Sequence, residues 1–341
     1  MIVVAGAGAI GASVAYHLAL LGAREVVLCD RGEVAGGSTA RAMGGVRQQF
    51  STAAEVRLAQ ASIAFFEELG PPFFRQVGYL FLATTPEGLE RLERRAALQR
   101  SLGVPVEPAP LPFGVEGGDV LGAFACRKDG LADPPAVTRE LVRRAAGLGV
   151  RVEEGVDART LDREVLVVCC GPWSAELAPA LPVRPLCRQL LETGPLELDE
   201  RLPMVVEEET GFHFRRRRDR LVLAMSDPEP RWGFETAVDE SLFGDRLARL
   251  AHRFPPAAGT EVADAWAGLY DMTPDAHPVV GRVGEGVYAA CGFSGHGFMQ
   301  SPAVGRALAE EIVLGASSLD LSPYRLERFG AEPEFPETLV L

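Results

Sequence analysis

Three glycines near the start of the 341-residue chain, Gly6-x-Gly8-x-x-Gly11, stand between a short apolar run and an apolar helical pattern. In that setting Gly6 permits a tight turn, Gly8 lets the backbone approach a pyrophosphate, and Gly11 packs helix on strand. Asp30 closes the next apolar run, where a carboxylate can accept both ribose hydroxyls of a dinucleotide and repels a 2′-phosphate. These residues alone leave NAD and FAD both open. A second cluster lies near the other end, where Trp266 to Met299 includes Tyr270, His277-Pro278 and Cys291-Gly-Phe-Ser-Gly-His-Gly-Phe-Met299. Gly295 and Gly297 allow turns that a Cβ would hinder, just ahead of a helix whose N-terminus carries partial positive charge. Arg47, behind the apolar Gly44-Gly45-Val46, offers a guanidinium fork suited to bidentate carboxylate recognition.

The elements that must position these groups follow from pattern. Ile2 to Ala5 and Glu25 to Cys29 read as buried strands around an Ala12–Leu21 helix that Gly22 ends. This is a β-α-β unit, hence a parallel sheet with a right-handed crossover. Glu55 to Leu69 has helical periodicity, β-like alternation follows from Val77, and a charged helix runs from Pro86 to Leu102. Pro134 to Gly147 is predicted helical, and Val150–Val152 and Val165–Cys170 are predicted strands. Short strands fill Leu186 to Met225, a helix covers Glu240 to Phe254, and Val287–Cys291 is a further buried strand. For the last helix Ser301 reads as N-cap, Pro302 as the first helical residue and Gly315 as the stop. The expected fold is α/β (α+β overall), a Rossmann-type domain carrying a second, antiparallel-β substrate domain. The expected division is 1–71, 131–185 and 265–330 for the nucleotide domain, 72–130 and 186–264 for the β-rich domain. The Pro- and Glu-rich tail, 331–341, reads as a surface arm.

Composition narrows the partners. A net charge of −13 argues against nucleic acid or anionic membrane as the main partner, and Arg215 to Arg218 reads as a solvated hairpin tip. The chain shows no signal peptide and no transmembrane pattern. Six cysteines without metal spacing or a C-x-x-C pair read as reduced thiols in a cytoplasm, and no metal site is expected. Lys128 is the only lysine.

Several blocks in order resemble the D-amino-acid oxidase and sarcosine oxidase superfamily of FAD-dependent amine oxidoreductases, most nearly its sarcosine oxidase β-subunit and L-proline dehydrogenase branch. They are the glycine turn with Asp30, Gly37-Ser38-Thr39-Ala40-Arg41 through Phe50, Asp129-Gly130 with Pro134, Val167 to Ser174, Gly211 to Arg215, and the C-terminal stretch. The resemblance implies FAD as cofactor and an amino-acid C–N bond as the site of oxidation. It implies FAD contacts at Gly6, Ala7, Gly8, Ala9, Ile10, Gly11, Asp30 and Arg31, and at Ser38, Thr39, Arg41, Ala42, Met43, Gly44 and Gly45. Cys170, Gly171, Trp173, Gly268, Gly292, Gly295, His296, Gly297, Phe298 and Met299 would complete the set. Reduced flavin is an anion, and a helix N-terminus aimed at it would stabilise it.

The resemblance further implies that Arg47 binds the substrate carboxylate and that His296 lies near the flavin, while Tyr270 reads as a packing residue. The departures carry information. A cysteine bonds covalently to flavin in some members; Gly268 stands at that position, so non-covalent FAD is expected. Met299 replaces the second carboxylate-binding lysine, which implies a more apolar pocket and a weaker anchor. No lysine stands near Leu221-Val222-Leu223, where sarcosine oxidases carry the one that activates oxygen. A dehydrogenase passing electrons to another, unidentified acceptor is therefore expected over an oxidase. The family's β-meander between Val152 and Val165 is replaced by about a dozen residues, too few for several ordinary strands, and Val156 is chosen as the residue on adenine. The expected activity is hydride transfer to flavin N5 from proline, sarcosine, glycine or a D-amino acid. The alternatives are a non-catalytic FAD-bearing subunit or assembly factor, or an NAD(P)-linked dehydrogenase. A partner subunit or homo-oligomer is compatible with the branch resembled.

Overall fold

The structure is a computed structural model, and it describes residues 1–330, 337, 338, 340 and 341. Six strands form the first sheet in the order Val279–Gly284, Val287–Cys291, Val165–Val168, Ile2–Ala5, Val26–Asp30, Arg151–Glu154. All neighbours are parallel except Val279–Gly284, which runs antiparallel to Val287–Cys291. The central strands are continuous apolar runs because both faces are covered. Val4, Leu28 and Val167 pack beneath the helices Ala9–Leu20 and Gly297–Leu314, while Val3, Val27 and Val168 face a second cluster with Leu181 and Val183.

The second sheet has eight strands, ordered Val262–Met272, Arg184–Thr193, Arg220–Ala224, His213–Arg217, Met204–Glu207, Tyr79–Ala83, Gly122–Cys126, Val106–Pro108. It is antiparallel apart from Met204–Glu207 beside Tyr79–Ala83. Period-two alternation divides its side chains: Tyr79 and Phe81 join one core cluster, Leu80 and Leu82 another. A three-stranded patch, Gly45–Val46, Gly130–Ala132 and Phe74–Arg75, connects the loop after Arg41 to this half of the molecule. The strand Val262–Met272 pairs along its length with Arg184–Thr193, so a boundary drawn at residue 265 falls inside one strand of the larger sheet.

The sequence misplaces the last helix. It runs Gly297–Leu314, with His296 at its N-cap, and Pro302 lies inside it. Proline cannot donate to the carbonyl four residues back. Here that carbonyl belongs to Phe298, and Ser301 Oγ donates to it instead at 2.9 Å. Ser301 is thus not a cap but the local substitute for the donor that Pro302 removes. Arg215 and Arg216 are also not solvated: only Arg217 and Arg218 of that run are exposed, and burial lowers Arg215 to about 10. The tail segments 331–336 and 339 lie outside the described residues. Glu337 is not on a surface arm; it is buried and accepts from Ser51 N at 3.1 Å and Ser51 Oγ at 2.7 Å.

Candidate active site

A cavity of about 700 Å³ runs between the two sheets. Its first end is built by the opening β-α-β unit. Gly6 is left-handed, with φ +101, and a Cβ there would overlap the Cys169 carbonyl; a Cβ on Gly11 would overlap the Gly6 carbonyl. Gly8 differs: its Cβ position meets only Thr39 Oγ1, at 3.2 Å. Gly6 and Gly8 therefore open toward the cavity, while Gly11 is consumed by helix–strand packing. The first helix has Gly8 at its N-cap, and Thr39 Oγ1 accepts from Ala9 N at 3.1 Å. The following N–H groups have no intrahelical acceptor and carry the positive end of the helix dipole. Asp30 Oδ2 accepts from Ala7 N at 2.7 Å and Oδ1 from Gly32 N at 2.8 Å. Each oxygen keeps a lone pair, so the carboxylate is held in place with acceptor capacity left for hydroxyls.

Of the residues expected to contact cofactor, Ala9, Ile10, Arg31, Ser38, Thr39, Arg41, Ala42 and Met43 line this cavity, as do Val156, Cys170, Gly171, Trp173 and Gly268. Gly295, Gly297 and Phe298 line it from the start of the last helix, so that helix opens on the cavity five residues earlier than its proline suggests. Ala7, Gly44, Gly45, Gly292 and Met299 do not line it. Ala7 acts through its N–H on Asp30, Gly44 and Gly45 give close approach to Ala132 and Tyr79, and Gly292 to Thr273. Met299 belongs to the core cluster of Phe50 and Phe66.

The two residues expected to be catalytic sit beside the cavity rather than on its wall. Arg47 is 1% exposed; it donates to the Gln49 carbonyl, lies 4.0 Å over the Phe50 ring, and its Nη2 is 3.2 Å from His296 Nε2. His296 is 3% exposed and edge-on to Phe50 at 5.0 Å. The physical reason is the turn Gln48–Phe50. Asp129 receives Gln48 N at 3.0 Å and Gln49 Nε2 at 3.0 Å, which folds Arg47 inward.

The cavity's second end comes from strands of the larger sheet and contains groups that sequence reasoning did not select: Arg188, His213, Phe234 and Asp271. Tyr270, read as packing, lines it too, and its hydroxyl donates to the Leu341 carbonyl at 2.8 Å. Trp173 stacks on Phe234 at 5.8 Å on the cavity lining. His213 Nδ1 is 2.8 Å from the Gly211 carbonyl, which fixes the proton there and leaves Nε2 as acceptor. Burial lowers His213 to about 4, with Arg47 and Arg188 adding to the effect, so the ring is neutral at physiological pH. The signal that could have found it is Gly211-x-His213, whose glycine has φ +65 and turns its carbonyl onto the imidazole.

Burial raises Asp271 to about 6, against hydrogen bonds from Phe293 and Gly292 that lower it. A carboxyl held above its unfolded value binds its proton more tightly when folded. Its contribution to stability is full below about pH 4 and lost as pH rises through about 6. Asp271→Asn, which keeps a carbonyl acceptor for Gly292 N, is expected to gain stability over the native chain at pH 8 relative to pH 4. Denaturant midpoints at both pH values measure this, and an identical offset at both would show an ordinary Asp271.

The FAD-dependent oxidoreductase family matches residues 1–311. The chain belongs to this family. It is 31% identical to the FAD-dependent oxidoreductase domain-containing protein 1 of Bos taurus, over 96% of this chain and 84% of that one. It is 26% identical to the mitochondrial sarcosine dehydrogenase of Mus musculus, over 96% of this chain and 41% of that one. Among solved structures it resembles the L-proline dehydrogenase of P. horikoshii, with TM-score 0.89, 26% identity and coverage of 96% and 97%. FAD is thus the cofactor and oxidoreduction the activity. The residues present fit FAD: the Gly8 cradle that a Cβ would narrow, the acceptor capacity of Asp30 and two helix N-termini face one cavity. Among the described residues no helix is long and apolar enough to cross a membrane.

A Cβ at Gly268 would come within 2.9 Å of Arg41 Cβ, and no cysteine stands there to bond to flavin. Acid precipitation of the holoprotein is expected to leave yellow flavin in the supernatant; a yellow pellet would show a covalent link.

Proposed function

We propose that this protein oxidises the C–N bond of a small amino acid or N-alkyl amino acid of the proline, sarcosine, glycine or D-amino-acid type. The observation that carries the reading is the cavity itself, whose lining extends from Asp30 to Tyr270, His213 and Gly295. Bound FAD would supply the two-electron acceptor for the hydride leaving the carbon beside the substrate nitrogen. Asp30 would hold ribose hydroxyls, the N–H groups after Gly8 the pyrophosphate, and Val156 the adenine. The start of the last helix, at Gly297 and Phe298, would face the flavin and favour its reduced anion.

The remaining work falls to the chain's own side chains. The amine must be neutral to release hydride. His213 Nε2 accepts a hydrogen bond from the amine and is too weakly basic to become a competing cation. Arg47, one residue row behind, is assigned to positioning: through His296 it sets the start of the last helix, and its charge disfavours a protonated amine nearby. Rate would come mainly from orientation and electrostatics.

Dehydrogenase activity is favoured over oxidase activity by the placement of the single lysine. The resembled sarcosine oxidases use a lysine to activate oxygen, but Lys128 is 60% exposed and paired with Glu67 at 4.0 Å, away from the cavity. The six cysteines are free among the described residues, which supports a reducing, cytoplasmic setting. The test is anaerobic mixing of holoprotein with proline, sarcosine, glycine and D-amino acids. Bleaching of the flavin by at least one is expected, with slow reoxidation by oxygen and fast reoxidation by an artificial acceptor. No bleaching with any amine would sink the proposal.

A further inference from the structure

Replacement of the family's lysine by Met299 suggests a weak carboxylate anchor, yet another strand brings a guanidinium to the cavity wall. Arg188 sits at the middle of Arg184–Thr193, and its cross-strand partner is Gly268, which has no side chain to cover it. It lines the cavity and is half-buried. Its Nε is buried with no hydrogen-bond partner, and among the described residues no carboxylate pairs with it. A buried cationic donor without an acceptor is costly, so the site favours an anion. The guanidinium carbon stands 5.7 Å from the Tyr270 ring centroid, and the Tyr270 hydroxyl already holds a carbonyl oxygen, that of Leu341, within this cavity. The cavity wall therefore offers a planar cationic fork, with the His213 acceptor on the same wall; the one proton of the Tyr270 hydroxyl is taken by Leu341.

We propose that Arg188 is the direct carboxylate-binding residue of the substrate site. The inference rests on the amino-acid reading above and deepens it. Bidentate Arg–carboxylate pairing fixes the plane of the carboxylate as well as its position, so the amine and the carbon bearing hydrogen would be oriented from the sheet side. Arg47 keeps its positioning role, and the missing lysine at residue 299 is compensated from another strand rather than lost. The consequence for specificity is a requirement for an anionic group on the substrate: cyclic or N-alkyl amines without one should bind poorly.

The test uses FAD-loaded protein and a carboxylate that cannot be oxidised at carbon–nitrogen, pyrrole-2-carboxylate, followed by calorimetric titration, with pyrrole-2-carboxamide as the neutral control. Arg188→Ala is expected to weaken carboxylate binding about 10- to 100-fold, as for a lost charge-assisted hydrogen bond, and to leave carboxamide binding unchanged. Arg188→Lys should recover part of the loss, because the charge remains and the fork does not, and it serves where the alanine variant does not retain FAD. Equal carboxylate binding in native and variant proteins, or no carboxylate binding by the native protein, would overturn the proposal. The flavin-bleaching panel is read separately. Carboxylate binding lost in Arg188→Ala without bleaching by any amine would uphold the anchor and reject the proposed reaction.

Discussion

Gly6→Val is expected to yield protein that folds poorly and retains no FAD through purification. Two costs act at the same atom. The native φ of +101 is a region that side-chain-bearing residues adopt at about 1–3 kcal/mol. The added Cβ would also overlap the Cys169 carbonyl of the neighbouring strand, and overpacking costs about 1–3 kcal/mol more. Relief requires the turn to move off that strand, which displaces the N–H groups after Gly8 and the Ala7 N–H that holds Asp30. A loss of about 3 kcal/mol in cofactor binding is roughly a 100-fold change in affinity. The ratio of flavin to protein absorbance after gel filtration measures it. Gly22→Val is the control: its φ is +82, but nothing lies within 4 Å of its Cβ position. It bears the backbone cost alone, far from the cavity, and should keep its flavin. Full flavin content in Gly6→Val would show that this turn does not position the cofactor.

The contrast between these two glycines also shows what the sequence can convey. The Gly6–Gly11 turn was legible because its strand, turn and helix are contiguous, so spacing alone implies the geometry. Asp30 was legible for the same reason, one strand later. Arg188 and His213 were not. Each lies in a strand of the larger sheet, and alternation assigns a side chain to a face without saying which strand lies beside it or what cavity that face meets. Arg47 shows the other side of this: its residue type suits a carboxylate, while its burial is set by Asp129, far along the chain, which folds Gln48 and Gln49. Pro302 misled through a local rule that tertiary context overrode, since the hydroxyl of Ser301 relieved the carbonyl that proline left without a donor. The FAD end of the site is thus mostly local in sequence, and the substrate end is assembled by sheet topology.

Glu55→Ala is expected to be the most destabilising substitution outside the cavity. Glu55 lies in the first turn of Ala53–Leu69, where its N–H donates to the Thr52 hydroxyl at 3.3 Å, yet its side chain turns inward and is 0% exposed. One carboxyl oxygen is 2.7 Å from His277 Nδ1, and the other accepts from Gln300 Nε2. Burial pushes Glu55 up in pKa, opposed by His277 and by Gln300, so the group is held by its partners rather than by solvent. The three side chains tie separate stretches together: the helix after Arg47, the turn into strand Val279–Gly284, and the first turn of the last helix. Removing the carboxyl leaves His277 Nδ1 and Gln300 Nε2 buried without this partner, at about 1–3 kcal/mol for each group left unsatisfied. Glu55→Gln keeps an acceptor for one neighbour and should cost less than the alanine variant. Urea unfolding of the holoprotein should show the midpoint falling in the order native, Glu55→Gln, Glu55→Ala, with little change in slope. Because Glu55 does not line the cavity, the flavin spectrum of the folded variants should match that of the native protein. An altered spectrum at unchanged stability would mean instead that Glu55 acts on the cofactor site through the start of the last helix.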